Sequence, residues 1–117
     1  MKTRMIRIND EITRITAGII RSELSDPRIG TVVSVIRAET TSDLKHCKIF
    51  VSILEDEEKR KETMEALRAA TGFIRRKLAG TINLRQTPEL NFVYDDSIEH
   101  GMKMRKLIKE ANEGLGA

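Results

Sequence analysis

A single glycine, Gly72, interrupts a helical pattern in the second half of the chain and limits how that half can fold. Apolar residues recur at helical spacing on both sides of it, at Met64, Leu67, Ile74 and Leu78. A glycine in a helix interior costs about 1 kcal/mol relative to alanine, so it commonly marks a bend or a close approach to another group. The pattern therefore predicts that the helix changes direction at residues 70–72 and continues as a second helical segment.

The residues around this glycine are strongly basic. Residues 66–88 contain no acid, and their five bases are Arg68, Arg75, Arg76, Lys77 and Arg85. The formal net charge of the whole chain is only +3, so this local excess points to a polyanionic partner. Cations late in a helix also suit the helix dipole and could form a solvated face. The absence of any acid in these residues favours a polyanion-binding surface over a solvated helix face.

The first half of the chain predicts one helix and a hairpin. An apolar stripe over residues 5–24 indicates a helix, with its members at Ile8, Ile12, Ile15, Ile19, Ile20 and Leu24. Pro27 stops this helix because proline forbids easy helical continuation. Residues 31–36 and 45–54 are typical of strands, and the polar residues 40–43 between them predict a turn.

The second half predicts two more helical segments, a strand and a tail. Acids at residues 56–58 open the long helix, where the helix dipole favours negative charge. Pro88 precedes a predicted strand over residues 90–95, and residues 97–114 carry a moderate amphipathic pattern. The predicted order suits an α+β fold with a small, mainly antiparallel sheet that helices cover on one face.

Composition limits the class of protein. A chain of 117 residues with 39% hydrophobic and 33% charged residues is typical of one soluble globular domain. It contains no apolar run near the roughly 18 residues that span a bilayer, and no secretory leader pattern. A single cysteine, Cys47, excludes an internal disulfide framework and fits a reducing compartment. We expect a cytoplasmic protein without membrane contact.

Metal and cofactor chemistry finds little support. His46 and His100 lie in different predicted elements, and Cys47 should point to the opposite strand face from His46. A zinc site needs three or four converging ligands. We predict no metal and no cofactor, and we interpret Cys47 as a small buried hydrophobe.

One acidic cluster could serve catalysis: Asp95 and Asp96, followed by Glu99. We interpret it as a strand end and a helix N-cap, with Asp96 or Ser97 accepting a backbone N–H. With no phosphate-binding glycine loop either, we predict that the protein is not an enzyme.

Three segments resemble signatures of bacterial ribosome-binding factor A. They are residues 24–30 (LSDPRIG), 70–75 (ATGFIR) and 88–101 (PELNFVYDDSIEHG). Together with residues 42–44 (SDL) and 50–52 (FVS), the resemblance covers nearly the whole chain in order. It implies a single type II KH-like domain over residues 1–96, ordered α-β-β-α-kink-α-β, and a C-terminal extension over residues 97–117 that is partly helical or disordered.

The resemblance also implies a function. KH domains clamp the nucleic-acid backbone with a GxxG loop, and the family replaces that loop with an Ala-x-Gly kink, here Ala70, Thr71 and Gly72. The implied role is a factor that binds the small (30S) ribosomal subunit and its 16S rRNA. It would assist late maturation, including rRNA processing, without catalysing a reaction, and the family is associated with cold adaptation. The implied partner is the free or immature subunit rather than the assembled ribosome. Whether an assembly GTPase is a further partner stays open.

We expect the bend and the basic face of the first helix to contact RNA. The candidate RNA-binding residues are Arg4, Arg7, Arg14, Ala70, Thr71, Gly72, Arg75, Arg76, Lys77 and Arg85. An aromatic content of 3% argues against a base-stacking sheet, so backbone charge and shape should carry the binding. We expect a monomer. The alternative is a protein-interaction or dimerisation module with an incidental basic face, in which the first helix or the tail mediates self-association.

Overall fold

The computed structural model describes residues 2–29 and 33–115, which form an α+β fold. Its elements are α1 (Lys2–Ser22), β1 (Val33–Thr40), β2 (His46–Ile53), α2 (Glu57–Ala69), α3 (Thr71–Thr81), β3 (Glu89–Tyr94) and α4 (Ser97–Leu115). This confirms the predicted order of elements. The predicted start of β1 at residue 31 lies outside the described residues, and β1 runs to Thr40 rather than ending at residue 36. The tail is a helix over Ser97–Leu115.

The sheet is mixed, whereas the sequence predicted a mainly antiparallel sheet. Its strand order is β1-β2-β3, and the β1–β2 hairpin is antiparallel. β3 pairs with β2 in parallel, with His46 opposite Glu89 at the start of the pairing and Val51 opposite Tyr94 at its end. The chain between these strands passes through α2 and α3, and a helical crossover of this length returns the chain in its original direction.

The core lies between the sheet and the helices, on the faces that the periodicities predicted. Ile8, Ile12, Ile19 and Ile20 of α1 are buried, and so are Met64, Leu67, Ile74 and Leu78 of α2 and α3. Cys47 is 1% exposed, which confirms its interpretation as a buried hydrophobe. Burial raises the pKa of the Cys47 thiol, so the group stays a protonated packing residue.

Two local contacts are notable: one caps α2 and the other organises the connection that follows α1. The Asp56 side chain caps α2 by accepting a hydrogen bond of 2.9 Å from the Lys59 N–H. After α1, the Arg28 guanidinium donates to both carboxylate oxygens of Asp26 at 3.1 and 2.8 Å. The Arg28 carbonyl in turn accepts from the Thr63 hydroxyl at 2.9 Å, so this connection is tied to α2.

Candidate nucleic-acid interface

The helical pattern is interrupted where α2 and α3 meet, within the residues predicted to bend, and one residue, Ala70, separates the two helices. Ala70 has φ −87° and ψ −1°, at the edge of the helical region. Its N–H donates to the Ala66 carbonyl and its carbonyl accepts from the Ile74 N–H, each at 3.0 Å. The interruption is therefore short and fully hydrogen-bonded. It lies two residues before the glycine that predicted it.

Gly72 is exposed in the first turn of α3 and has no packing reason to be a glycine. A Cβ added there would meet the Arg76 side chain, with Nη1 at 3.6 Å, an ordinary van der Waals distance. Alanine would therefore fit, and it would favour the helix. The helix backbone at Gly72 is therefore open to the close approach of another molecule.

The three consecutive cations of α3 differ in their surroundings. The Arg75 guanidinium donates from Nε to the Pro88 carbonyl at 3.1 Å and from Nη2 to the Thr87 carbonyl at 2.8 Å. Arg75 therefore holds the connection that leads into β3, a role that the sequence pattern did not predict.

The other two cations are more available to a partner. The Lys77 Nζ lies 3.5 Å from a Glu23 carboxylate oxygen and 5.7 Å from the centroid of the Phe73 ring. Arg76 is exposed and makes no hydrogen bond or ion pair with a described residue. Of the three, Arg76 is best placed to meet a partner.

Two basic residues of α1, Arg4 and Arg7, lie near the connection between α3 and β3. Arg4 and Arg7 are exposed and line a groove together with Asn83 and Leu84. Arg85, the next residue along, is also exposed. Arg14 is exposed on α1 but does not line this groove. The fold thus brings Arg4 and Arg7 close to residues almost eighty positions away in sequence.

The open face of the sheet offers no free aromatic platform at Phe50. A bulge at Ile36 shifts the β1 register so that Arg37 lies opposite Phe50, with its guanidinium 3.9 Å from the ring centroid. The same guanidinium pairs with Glu39 at 3.2 Å and with Asp95 at 2.9 Å. Phe50 is therefore covered by a paired cation rather than exposed for base stacking.

The acidic cluster after β3 has a structural role at Asp95. This carboxylate accepts the Ser97 N–H at 2.9 Å at the start of α4. Hydrogen bonds from Ser97, and secondarily from Arg37, hold the pKa of Asp95 below its ordinary value. The described acceptor at this helix start is Asp95, whereas the prediction named Asp96 or Ser97. The side chain of Glu99 lies outside the described residues.

No group of three or more histidine, cysteine, aspartate or glutamate residues within 2–29 and 33–115 could hold a metal ion. In the same part of the chain, every helix is too short or too polar to cross a bilayer.

The sequence is similar to proteins of one family. Residues 4–108 match the family model described as ribosome-binding factor A. The ribosome-binding factor A of Lachnospira eligens is 50% identical over 107 residues, which cover 92% of this chain and 82% of the relative. That of Clostridium tetani is 45% identical over 112 residues, which cover 96% of this chain and 93% of the relative.

Solved structures share the fold. The solution NMR structure of a Thermotoga maritima protein described as a ribosome binding factor A is 34% identical with a TM-score of 0.71, covering 82% of this chain and 91% of that one. The crystal structure of ribosome-binding factor A from Thermus thermophilus has a TM-score of 0.68 at 23% identity, covering 77% and 93%. Thermus thermophilus coordinates fitted into a cryo-EM map of a 30S complex have a TM-score of 0.62 at 24% identity, covering 75% and 91%.

Proposed function

Because the chain belongs to the ribosome-binding factor A family, we propose that it binds the small ribosomal subunit through its 16S rRNA and assists late maturation. It acts on free or immature subunits in the bacterial cytoplasm and catalyses no reaction itself. The Thermus thermophilus protein with the same fold has been fitted into the map of a complex with the 30S subunit, which supports this partner.

The surface of α3 around Gly72 carries the proposal. A glycine that the fold does not need leaves the helix backbone open, and Arg76 lies directly beside it. RNA presents a phosphate backbone that needs close approach and positive charge. We propose that Ala70, Thr71 and Gly72 take the place of the GxxG loop of KH domains, as an Ala-x-Gly kink that meets this backbone.

The remaining candidate residues divide into two roles. The exposed cations Arg4, Arg7, Arg14, Arg76 and Arg85 contact phosphates, with Lys77 adding to them beside Glu23. Arg75 positions the connection into β3 through its two carbonyl contacts, so that Arg85 is presented from an anchored segment. Phosphate contacts fix the orientation of the protein, and the folded shape of the subunit supplies selectivity.

Residues 1–96 form the RNA-binding unit in this proposal, and residues 97–117 form an extension. The protein works as a monomer, and an assembly GTPase is a candidate for the partner that completes its cycle. The apolar side chains exposed on α4 favour a second candidate function, which is self-association through this helix; they are Met102, Met104, Leu107 and Ile108.

Co-sedimentation with purified immature small subunits tests the proposed function. The double variant Arg76→Glu with Arg85→Glu should bind about tenfold more weakly or worse, which corresponds to about 1.4 kcal/mol. Log affinity should fall against log salt with a slope of about −2 to −5 if about three to six phosphates are neutralised. The matched control is Lys59→Glu with Lys61→Glu on α2, which makes the same change of charge.

Equal weakening in both double variants would mean that net charge alone decides binding. Unchanged affinity in the Arg76 and Arg85 variant, with a normal circular-dichroism spectrum, would reduce the basic surface to a solvated face. Failure of the unmodified protein to sediment with small subunits would overturn the proposed function.

A further inference from the structure

A groove of about 480 Å³ lies between the N-terminal half of α1 and the connection from α3 to β3. Its lining residues are Arg4, Arg7, Ile8, Asp10, Glu11, Asn83 and Leu84. The volume falls within the range of about 300–1,000 Å³ that is usual for small-molecule sites. The α2–α3 junction contributes none of these residues, so the groove is separate from the Gly72 surface.

Along α1, the two positive charges of the groove precede its two negative charges. Arg4 and Arg7 are three residues apart and lie on the same side of α1. Asp10 and Glu11 follow three and four residues after Arg7, a rise of roughly 4.5–6 Å along the helix. The arginines and carboxylates therefore orient a ligand that has an anionic end and a hydrogen-bond-donating end. The anionic end lies at the arginines.

The middle of the groove is aliphatic. Ile8 is 7% exposed and Leu84 is half-buried, so together they offer an apolar surface at the floor. The exposed Asn83 has an amide that can donate and accept hydrogen bonds at the same time. The arrangement suits a flat, polar-edged ring between the charged ends, because carboxylates accept hydrogen bonds from amino groups on base edges.

The wall formed by Asn83 and Leu84 is anchored at both ends. On one side, the Ile82 N–H donates to the Leu78 carbonyl at 2.9 Å. On the other side, Arg75 holds the Thr87 and Pro88 carbonyls. A groove that is already formed loses less conformational entropy when a ligand binds.

We propose that this groove binds one unpaired nucleotide of single-stranded RNA. Its phosphate lies at Arg4 and Arg7, its base contacts Ile8 and Leu84, and its polar edge or 2′-hydroxyl faces Asn83 and the carboxylates. The proposal rests on the proposed function and names the form of RNA that this surface selects. A base in a duplex is stacked and paired, so it cannot enter the groove.

The test is an NMR titration of the full chain with a single-stranded RNA of about six nucleotides, and in parallel with its duplex. The amide signals of Asn83, Leu84 and the N-terminal half of α1 should shift with the single strand and not with the duplex. Asn83→Asp places a carboxylate in the groove and should weaken single-strand binding by about tenfold. Gln86→Glu is the matched control, since it makes the same charge change at an exposed residue of the same connection, outside the groove lining.

A second pair of variants tests the phosphate end. Arg4→Gln with Arg7→Gln should weaken single-strand binding by about tenfold or more, whereas Lys59→Gln with Lys61→Gln should not. The control cations precede and follow Arg60, whose guanidinium lies 4.5 Å from the Tyr94 ring at the end of β3. Asn83 and Leu84 of the groove precede the opposite end of β3, and the six residues of β3 span roughly 20 Å. The control lysines therefore lie far from the groove.

The results separate this proposal from the proposed function. If small-subunit binding persists while Asn83→Asp and Gln86→Glu bind the single strand equally well, the groove is not a nucleotide site and the proposed function stands. Equal shifts of the groove amides with duplex and single strand would also overturn the proposal. If the unmodified protein does not bind small subunits, that result would instead count against the proposed function itself.

Discussion

Single residues divide into those that serve the fold and those that the fold does not explain. Arg75 has a helix-surface position typical of a ligand-binding cation, yet its two donors hold the Thr87 and Pro88 carbonyls. Gly72 is the reverse case, since its backbone position accepts a side chain and its exposure leaves room for one. Function at this scale is best sought where local stability has been given up without a structural reason.

Gly72→Ala should therefore stabilise the protein and weaken its function. We expect the free energy of unfolding to rise by about 0.5–1 kcal/mol, because alanine is the better helix residue. Affinity for small subunits should fall, because the new methyl group stands between α3 and the RNA backbone. Urea denaturation and co-sedimentation measure the two effects.

Gly80→Ala is the matched control for this variant. Gly80 is also exposed in α3, and a Cβ there meets nothing within 4 Å. It should give a similar gain in stability with unchanged subunit affinity. Equal effects of both variants on binding would remove Gly72 from the proposed interface.

Thr16 makes a second residue-scale prediction. It is fully buried, and its hydroxyl oxygen has no hydrogen-bond partner among the described residues. Thr16→Val keeps the shape and removes the unpaired polar group, so stability should rise by about 1 kcal/mol. Thr63→Val is the contrast, because the Thr63 hydroxyl is hydrogen-bonded to the Arg28 and Lys59 carbonyls at 2.9 Å each. It should lose about 0.5–1.5 kcal/mol in the same thermal or urea unfolding experiment.

Connections between elements depend on a few side-chain contacts. The link from α1 to the sheet is organised by Asp26 and Arg28 and is tied to α2 by Thr63. The Arg28 guanidinium and N–H donate to the carboxylate and hold the pKa of Asp26 below its ordinary value. Since both side chains are partly exposed, the pair matters for geometry more than for total stability.

This link predicts an acid-dependent loss of stability. A carboxyl whose pKa is lowered by folding contributes fully above its unfolded pKa of about 4, and the contribution disappears as pH falls through the folded pKa. Stability should therefore decline below about pH 4, and Asp26→Asn should make that decline shallower. Unfolding midpoints measured across this pH range check the slope. An identical profile in the variant would show that Asp26 contributes nothing to it, leaving Asp95 as the next carboxyl to test.

The whole molecule consists of a packed unit and a projecting helix. The buried core contains residues from Ile8 to Phe92, and each α4 side chain described from 102 to 110 is exposed. A chain that ends at Asp96 should therefore keep its free energy of unfolding within about 0.5 kcal/mol. Urea denaturation of the truncated and full chains measures this, and a larger loss would mean that α4 belongs to the folded unit.

The state of association is also decided at this scale. We expect sedimentation equilibrium to give the mass of one chain at micromolar concentration. Leu107→Glu with Ile108→Glu should leave that mass unchanged. A dimer that this double variant dissociates would instead support self-association through α4, with or without added RNA.

The sequence by itself determined the element order and the core faces of the helices. Hydrophobic periodicity and capping are local properties, so the stripe of α1, the apolar face at Met64 and Leu67, and the acidic start of α2 could be predicted. The same reasoning placed the helix interruption within residues 70–72 and Cys47 in the core.

The tertiary structure decided what depends on contacts between distant residues. Parallel pairing of β3 with β2 follows from the path of the crossover, which no local pattern specifies. Arg75 could be assigned to the fold only once the chain brought the Thr87 and Pro88 carbonyls to its guanidinium. The groove likewise exists because α1 packs beside the end of α3, placing Arg4 and Arg7 near Asn83. Charge can be read along a sequence, but the surface on which it acts is formed by folding.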